Sequence, residues 1–116
     1  MLCEKLLEID RGFWLEGEVY FRAHVDEQCV LIFEQMQGVY PRDQVAASAW
    51  DPKRWRDLEV SGAFAHQPSE DAAMLGYEAR VTRGDGMPYH AWIGSSYVRR
   101  AGTWKLTAHQ HTPMSG

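Results

Sequence analysis

The tightest constraint on this chain lies near its end. Ser95-Ser96-Tyr97-Val98-Arg99-Arg100 reads as a strand, Ala101-Gly102 as a two-residue turn, and the run from Thr103 as a second strand that opens on Trp104 and ends in His109-Gln110-His111-Thr112. A hairpin of this kind specifies an architecture and leaves the reaction open. The segments before it fit the same picture. From Asp57 the apolar period is two: Leu58, Val60, Gly62, Phe64 and His66 alternate with Glu59, Ser61, Ala63 and Ala65. After a Gln67–Asp71 loop, residues 72–83 alternate again, with Leu75, Tyr77, Ala79 and Val81 on one side. Arg83-Gly84-Asp85-Gly86 is a turn. Residues 89–100 and 103–111 complete four successive antiparallel strands.

The first half has a different period. Leu2, Leu6, Ile9 and Phe13 fall at i, i+4, i+7 and i+11, and Cys3, Leu7 and Trp14 widen that stripe, so an amphipathic helix is predicted over 2–16. Gly17 breaks it. A second short helix is expected over about 18–26, and Gln28–Glu34 reads as a buried strand. Gly38–Pro41 reads as a loop. Pro41 then begins a helix that runs to about Ala49, and Asp51-Pro52 begins a single turn ending near Trp55. The result is an α+β chain, with helices packed on one face of a strongly curved antiparallel sheet that forms a cone with an internal pocket. Its 116 residues suit a single domain over 1–116.

Composition excludes several functions. The net charge is −4 with both signs interspersed, and the basic pairs Lys53-Arg54 and Arg99-Arg100 are isolated, so no nucleic-acid partner is expected. The longest apolar run, Cys29–Phe33, is too short to span a membrane, and no apolar stretch of signal-peptide length opens the chain; a cytoplasmic location follows by default. Cys3 and Cys29 make no CxxC pair and are expected to pack as reduced hydrophobes. Five Trp residues supply rings for a core or for the walls of a ligand cavity. No phosphate-cradling glycine motif is present, so no cofactor is implied.

Three segments together carry a resemblance: the Leu-rich first helix with Phe13-Trp14, the Gly38-Val39-Tyr40-Pro41 entry to the third helix, and Tyr97-Val98-Arg99-Arg100-Ala101-Gly102-Thr103-Trp104-Lys105-Leu106. In these the chain resembles the nuclear transport factor 2-like superfamily, which includes ketosteroid isomerases, SnoaL-like polyketide cyclases and scytalone dehydratase. The resemblance implies the cone fold and a dimer formed through the outer sheet face. It does not choose among isomerase, dehydratase, cyclase and binding module. Ketosteroid isomerases use an Asp base with a Tyr and a protonated Asp at the oxyanion. Leu58, Val60, Gly62, Phe64 and Tyr77 supply no carboxylate, and Phe13-Trp14 stand where a catalytic Tyr would.

Strand parity then assigns the candidate site. Trp104, Leu106, Ala108 and Gln110 are expected to face the cone, and His109 and His111 the outer side. Two imidazoles at that spacing can chelate a transition metal only with a third ligand, which His66 or His90 would have to supply, and no metal is assigned. In the preceding strand His90, Trp92, Gly94, Ser96 and Val98 are expected inward and Tyr97 outward, at the dimer face. His90 is the candidate acid or base, because imidazole titrates near neutrality. Trp50 and Trp55 flank the cone mouth, Tyr20, Tyr40 and Tyr77 offer hydroxyls, and Asp10 and Glu34 are acids beside apolar elements. The leading expectation is a small-molecule binding protein. Its planar or hydrophobic ligand is held by Trp14, Trp50, Trp55, Tyr77 and Trp92, with Tyr20 adding a hydroxyl, and oriented by His90, Ser96 and Gln110. The alternatives are an isomerase, dehydratase or cyclase with His90 as base, and a dimeric interaction module whose cone is filled by its own side chains.

Overall fold

In the first helix, α1 (Leu2–Leu15), Leu6, Asp10, Phe13 and Trp14 stack four or so residues apart and are all buried. The computed structural model describes residues 1–114; the last two residues of the expected 1–116 domain lie outside them. The next elements are α2 (Glu18–His24), β1 (Val25–Phe33), β2 (Met36–Pro41), α3 (Arg42–Ala47), β3 (Trp55–Ser69), β4 (Ala72–Arg83), β5 (Pro88–Arg100) and β6 (Thr103–Pro113). They form one six-stranded sheet in the order β2-β1-β6-β5-β4-β3. All pairs are antiparallel except β1 with β6. The fold is therefore α+β, with the helices on the concave face of a curved, unclosed sheet.

The core lies between α1, α2, α3 and that concave face. Leu6, Phe13, Trp14, Phe21 and Val45 from the helices meet Leu31, Leu75, Tyr77, Ala79, Val81, Ala91, Ile93, Tyr97 and Leu106 from the sheet. At about 25 cal/mol per Å² of apolar surface, each large side chain here contributes roughly 1.5–3 kcal/mol. Tyr20 fastens α2 to α1: its ring lies against Gly12, where a Cβ would sit 2.0 Å from the ring, and its hydroxyl donates to the Ile9 carbonyl at 2.8 Å. Arg100 clips β5 to β1 through two 3.1 Å hydrogen bonds to the Asp26 carboxylate.

Two elements differ from the sequence expectation. Residues 38–41, read as a loop, lie in β2, a strand that hairpins onto β1 with Gln28 opposite Pro41 and Phe33 opposite Met36. Its residues are mostly exposed, so the apolar pattern that marks a strand is missing. The alternation of β3 also reverses. Val60 pairs with Ala79 on the inner face, whereas Phe64 pairs with Gly76 on the outer face. Between Ser61 and Phe64, β3 spends one more residue than β4, a bulge in which Gly62 adopts a left-handed φ of 62°. Phe64 and His66, expected inward, therefore face outward.

Candidate functional site

The parity of β5 and β6 decides which side chains reach the interior, and here the structure corrects the expectation. The Ala101-Gly102 turn pairs Arg100 with Thr103 and Arg99 with Trp104. Residues opposite each other share a face, so Arg99 and Tyr97, not Val98, lie on the side of Trp104. Counting back by two, Tyr97, Ser95, Ile93, Ala91 and Tyr89 face inward, and Val98, Ser96, Gly94, Trp92 and His90 face outward. Tyr97, expected at the dimer face, is 1% exposed in the core.

On β6 the pattern then reverses. Leu106 pairs with Tyr97, but Ala108 pairs with Ser96, so Thr107 is the extra residue of a bulge. Beyond it His109 and His111 turn into the cone, while Ala108 and Gln110 turn out. A single inserted residue exchanges the sides of every later side chain.

The interior is a cavity of about 650 Å³. Phe13, Trp14, Phe21, Trp55, Tyr89, Phe33 and Leu106 form apolar walls, and His109 and His111 supply polar edges. Trp14 stacks on the His111 ring at 5.1 Å and meets Trp55 edge-on at 4.9 Å. Tyr89 lies 5.3 Å from Trp55. At the rim the Arg83 guanidinium sits 4.6 Å above the Tyr89 ring and 5.7 Å from Trp55. Arg54 is spent on structure: it donates to the carbonyls of Phe13, Glu16 and Asp51. Glu34, Asp51 and Asp85 complete the rim.

Behind the cavity wall lies a buried polar chain. The Tyr89 hydroxyl is 3.0 Å from His111 Nδ1, His111 Nε2 is 3.0 Å from His109 Nε2, and His109 Nδ1 is 2.8 Å from the Ser95 hydroxyl. The Asp10 carboxylate accepts short hydrogen bonds from the Tyr77 and Tyr97 hydroxyls. Trp14 Nε1 donates to the Tyr77 hydroxyl at 2.8 Å. Asp10 is fully buried. Burial pushes its pKa up, while the hydrogen bonds from Tyr77 and Tyr97 pull the other way. Burial pushes His109 down to about 4. It also pushes His111 down to about 3, helped by His109 and Arg83 and opposed by Asp10. Both imidazoles are neutral at physiological pH. They hydrogen-bond to each other, and among the described residues no cluster of three or more His, Cys, Asp or Glu comes together around a metal position.

The remaining candidates fall in three places. Trp14 and Trp55 line the cavity. Tyr77 lies just behind it, and Tyr20 is tied to Ile9 away from it. Trp50 is 75% exposed and outside the cavity. Tyr40 donates to the Gln37 carbonyl in the β1–β2 hairpin. His90 is bound through Nε2 to the outer-face Glu78 at 2.5 Å. Trp92, Ser96 and Gln110 line a shallow outer groove of about 480 Å³ with Val30, Ile32, Phe64 and Met74. Asp10 was legible as an anomaly: it sits four residues after Leu6 and four before Trp14, in the middle of the apolar stripe.

No family model matches the sequence, and no curated protein matches it. Solved structures do match along nearly the whole chain. An NTF2-like protein from Cytophaga hutchinsonii ATCC 33406 superimposes with a TM-score of 0.76 at 9% identity, covering 96% of this chain and 97% of that one. This chain has the NTF2-like fold. A protein with a cystatin-like fold from Caulobacter vibrioides gives a TM-score of 0.75 at 14% identity, covering 97% of this chain and 87% of that one. The association domain of C. elegans CaMKII gives 0.74 at 9% identity, covering 96% and 92%. Identities this low establish the fold alone. No helix among the described residues is long and apolar enough to cross a membrane.

Proposed function

We propose that this NTF2-like chain is a small-molecule-binding protein that holds a planar, largely apolar ligand inside the cone. The observation that carries the reading is the cavity of about 650 Å³ walled by Trp14, Trp55, Tyr89 and Phe33, with the edges of His109 and His111 as its polar contacts. Ligand pockets begin near about 300 Å³ and combine apolar walls with a few convergent polar groups. A cone filled by its own side chains would be smaller. A thermal-shift screen with aromatic, steroid-like, polyketide-like and fatty-acid compounds tests the reading. A ligand at a hundred times its dissociation constant stabilises by about 2.7 kcal/mol, and each kcal/mol moves the midpoint by about 4–8 °C in a domain of this size. A panel without any shift removes the reading.

An acid–base enzyme of the isomerase, dehydratase or cyclase type is the second reading, favoured by one observation. A neutral imidazole, His111, stands at the cavity wall in contact with the Tyr89 hydroxyl. The ionisable group of this reading is His111; His90 is turned away from the cone. Deuterium exchange beside the carbonyl of a ketone bound in the cone, abolished in His111→Ala, is its expected signature.

The outer groove supports a homodimer. Trp92, Phe64, Met74 and Ile32 expose apolar surface there, and one structural neighbour is an association domain. Sedimentation of the wild-type chain against Phe64→Glu tests it: a dimer that the substitution splits supports the interface, and a wild-type monomer removes it.

A further inference from the structure

We propose that the ligand of the cone is an amphipathic carboxylate: a planar apolar body held among Trp14, Phe33, Trp55 and Tyr89, and a single carboxylate bound at the mouth by the Arg83 guanidinium. The inference rests on the reading of the cone as a ligand site, and adds the head group and the orientation of what enters it.

Strand register puts Arg83 at the mouth. In β4 the inward row runs Leu75, Tyr77, Ala79 and Val81, and Arg83 is the next residue of that row. Arg83 pairs with Trp55 of β3, and Val81 pairs with Tyr89 of β5. Paired residues share a face, so Arg83, Trp55 and Tyr89 stand together at one end of the sheet. The backbone there is held by its neighbours. The Arg83 N–H donates to the Met87 carbonyl at 2.8 Å, the Arg83 carbonyl accepts from the Gly86 N–H at 2.8 Å, and the Gly84 N–H donates to the Arg54 carbonyl at 2.9 Å. A cation is thus planted on a fixed turn at the rim of an apolar cavity.

Its donors are unused. A guanidinium carries five N–H groups in a rigid planar fork. The Tyr89 ring at 4.6 Å and the Trp55 ring at 5.7 Å attract its charge but offer it no oxygen. Among the described residues Arg83 has no ion-pair partner. The arginine side chains that donate hydrogen bonds there are Arg42, Arg54, Arg99 and Arg100. Arg54, the other cation of the rim, is taken up by three backbone carbonyls. Deeper in, the ring nitrogens are taken up too. His111 Nδ1 meets the Tyr89 hydroxyl, the two Nε2 atoms meet each other, and His109 Nδ1 meets Ser95. A ligand's polar group therefore finds its free partner at the mouth, and the apolar body goes in first.

The charges of the rim narrow the head group. Glu34, Asp51 and Asp85 share it with Arg54 and Arg83. Asp51 Oδ1 accepts from the Lys53 N–H and Asp85 Oδ1 from the Met87 N–H, both at 2.9 Å, so these two acids are engaged in their own turns. With three acids against two cations, a second negative charge on the ligand is repelled. One free guanidinium matches one carboxylate through two parallel N–H···O bonds. A phosphate monoester, with a charge of about −1.5 to −2 at neutral pH, fits the same rim less well.

Calorimetric titration of the full chain with 2-naphthoate, 2-naphthamide and 2-naphthyl phosphate tests this, at about pH 7.5 where the carboxylic acid is ionised. The wild-type chain should bind naphthoate about tenfold or more tighter than naphthamide, the effect of hydrogen bonds to a charged group. It should also bind naphthoate tighter than naphthyl phosphate. Arg83→Gln should bring naphthoate down to the amide's affinity and leave the amide unchanged, which also shows that the variant is folded. Arg83→Lys, with the charge but without the fork, should keep part of the preference. Equal binding of acid and amide by the wild type, or a preference for the acid that survives in Arg83→Gln, overturns the carboxylate head group and leaves the ligand site standing. Naphthyl phosphate binding as tightly as naphthoate overturns the selection of a single charge. Absence of binding by all three overturns the ligand site and this inference together.

Discussion

The two faces of the sheet treat their polar groups in opposite ways. On the inner face, Asp10 is buried and bound by Tyr77 and Tyr97, and Ser95 and His109 are buried and bound to each other. On the outer face, His90, Glu78, Ser61 and Arg80 form a half-exposed cluster beside exposed Phe64, Trp92 and Met74. Strand β5 supplies both faces, Ser95 and Ile93 to the inner one and His90 and Trp92 to the outer one. The lesson is that chemistry here is assigned by which side of the sheet a residue faces, and two bulges, near Gly62 and at Thr107, set those sides.

Neighbouring residues on β5 give the largest contrast. Ile93 is 3% exposed on the inner face and Trp92 is 38% exposed on the outer one. Ile93→Ala should cost about 2–5 kcal/mol in urea unfolding. Trp92→Ala should cost less, about 1 kcal/mol in the monomer, and act mainly on self-association. Equal losses would mean the inner and outer assignment of β5 is wrong.

The pH dependence sharpens the comparison next. His109 and His111 have folded values of about 4 and about 3, below the 6.5 of an unfolded histidine. The unfolded chain therefore takes up protons first. Their contribution is complete above about pH 6.5 and is lost as pH falls toward 4, at up to about 1.4 kcal/mol per pH unit for each ring. Asp10 has a raised value and works in the opposite sense between 3.8 and that value. A double His109→Phe, His111→Phe variant should show a flatter profile of thermal midpoint against pH from 6.5 to 4. A profile as steep as the wild type's would place those rings in solvent.

Tyr77→Phe probes the buried chain at one link. It strands the Trp14 indole N–H and removes one donor from Asp10, so about 1–3 kcal/mol should be lost. The smallest effect is expected at Trp50. It is exposed and outside the cavity, and Trp50→Ala should stay within about 0.5 kcal/mol and leave ligand shifts unchanged.

These contrasts also show where reading the residues succeeds. The α1 stripe, the inward set Leu75, Tyr77, Ala79 and Val81, and the Ala101-Gly102 turn are all visible in the periodicity. Facing is harder. An inserted residue leaves no mark in a period-two pattern when both faces carry aromatic and polar side chains, as at Ser95-Ser96 and His109-Gln110-His111. The β2 strand was hidden because its residues are exposed, and its pairing to β1 comes from backbone hydrogen bonds. Asp10 stood out within its stripe, but its two hydroxyl partners, Tyr77 and Tyr97, come from strands more than sixty residues away.

The central claim is that His109 and His111 lie inside the cone as neutral rings bonded to each other, to Ser95 and to Tyr89. Nitrogen-detected NMR of the imidazoles against pH reads this directly. The account predicts a proton on one of the two facing Nε2 atoms and none on the other, with both rings remaining neutral down to about pH 5. Either ring titrating near 6.5, as a solvent-facing histidine does, would contradict it.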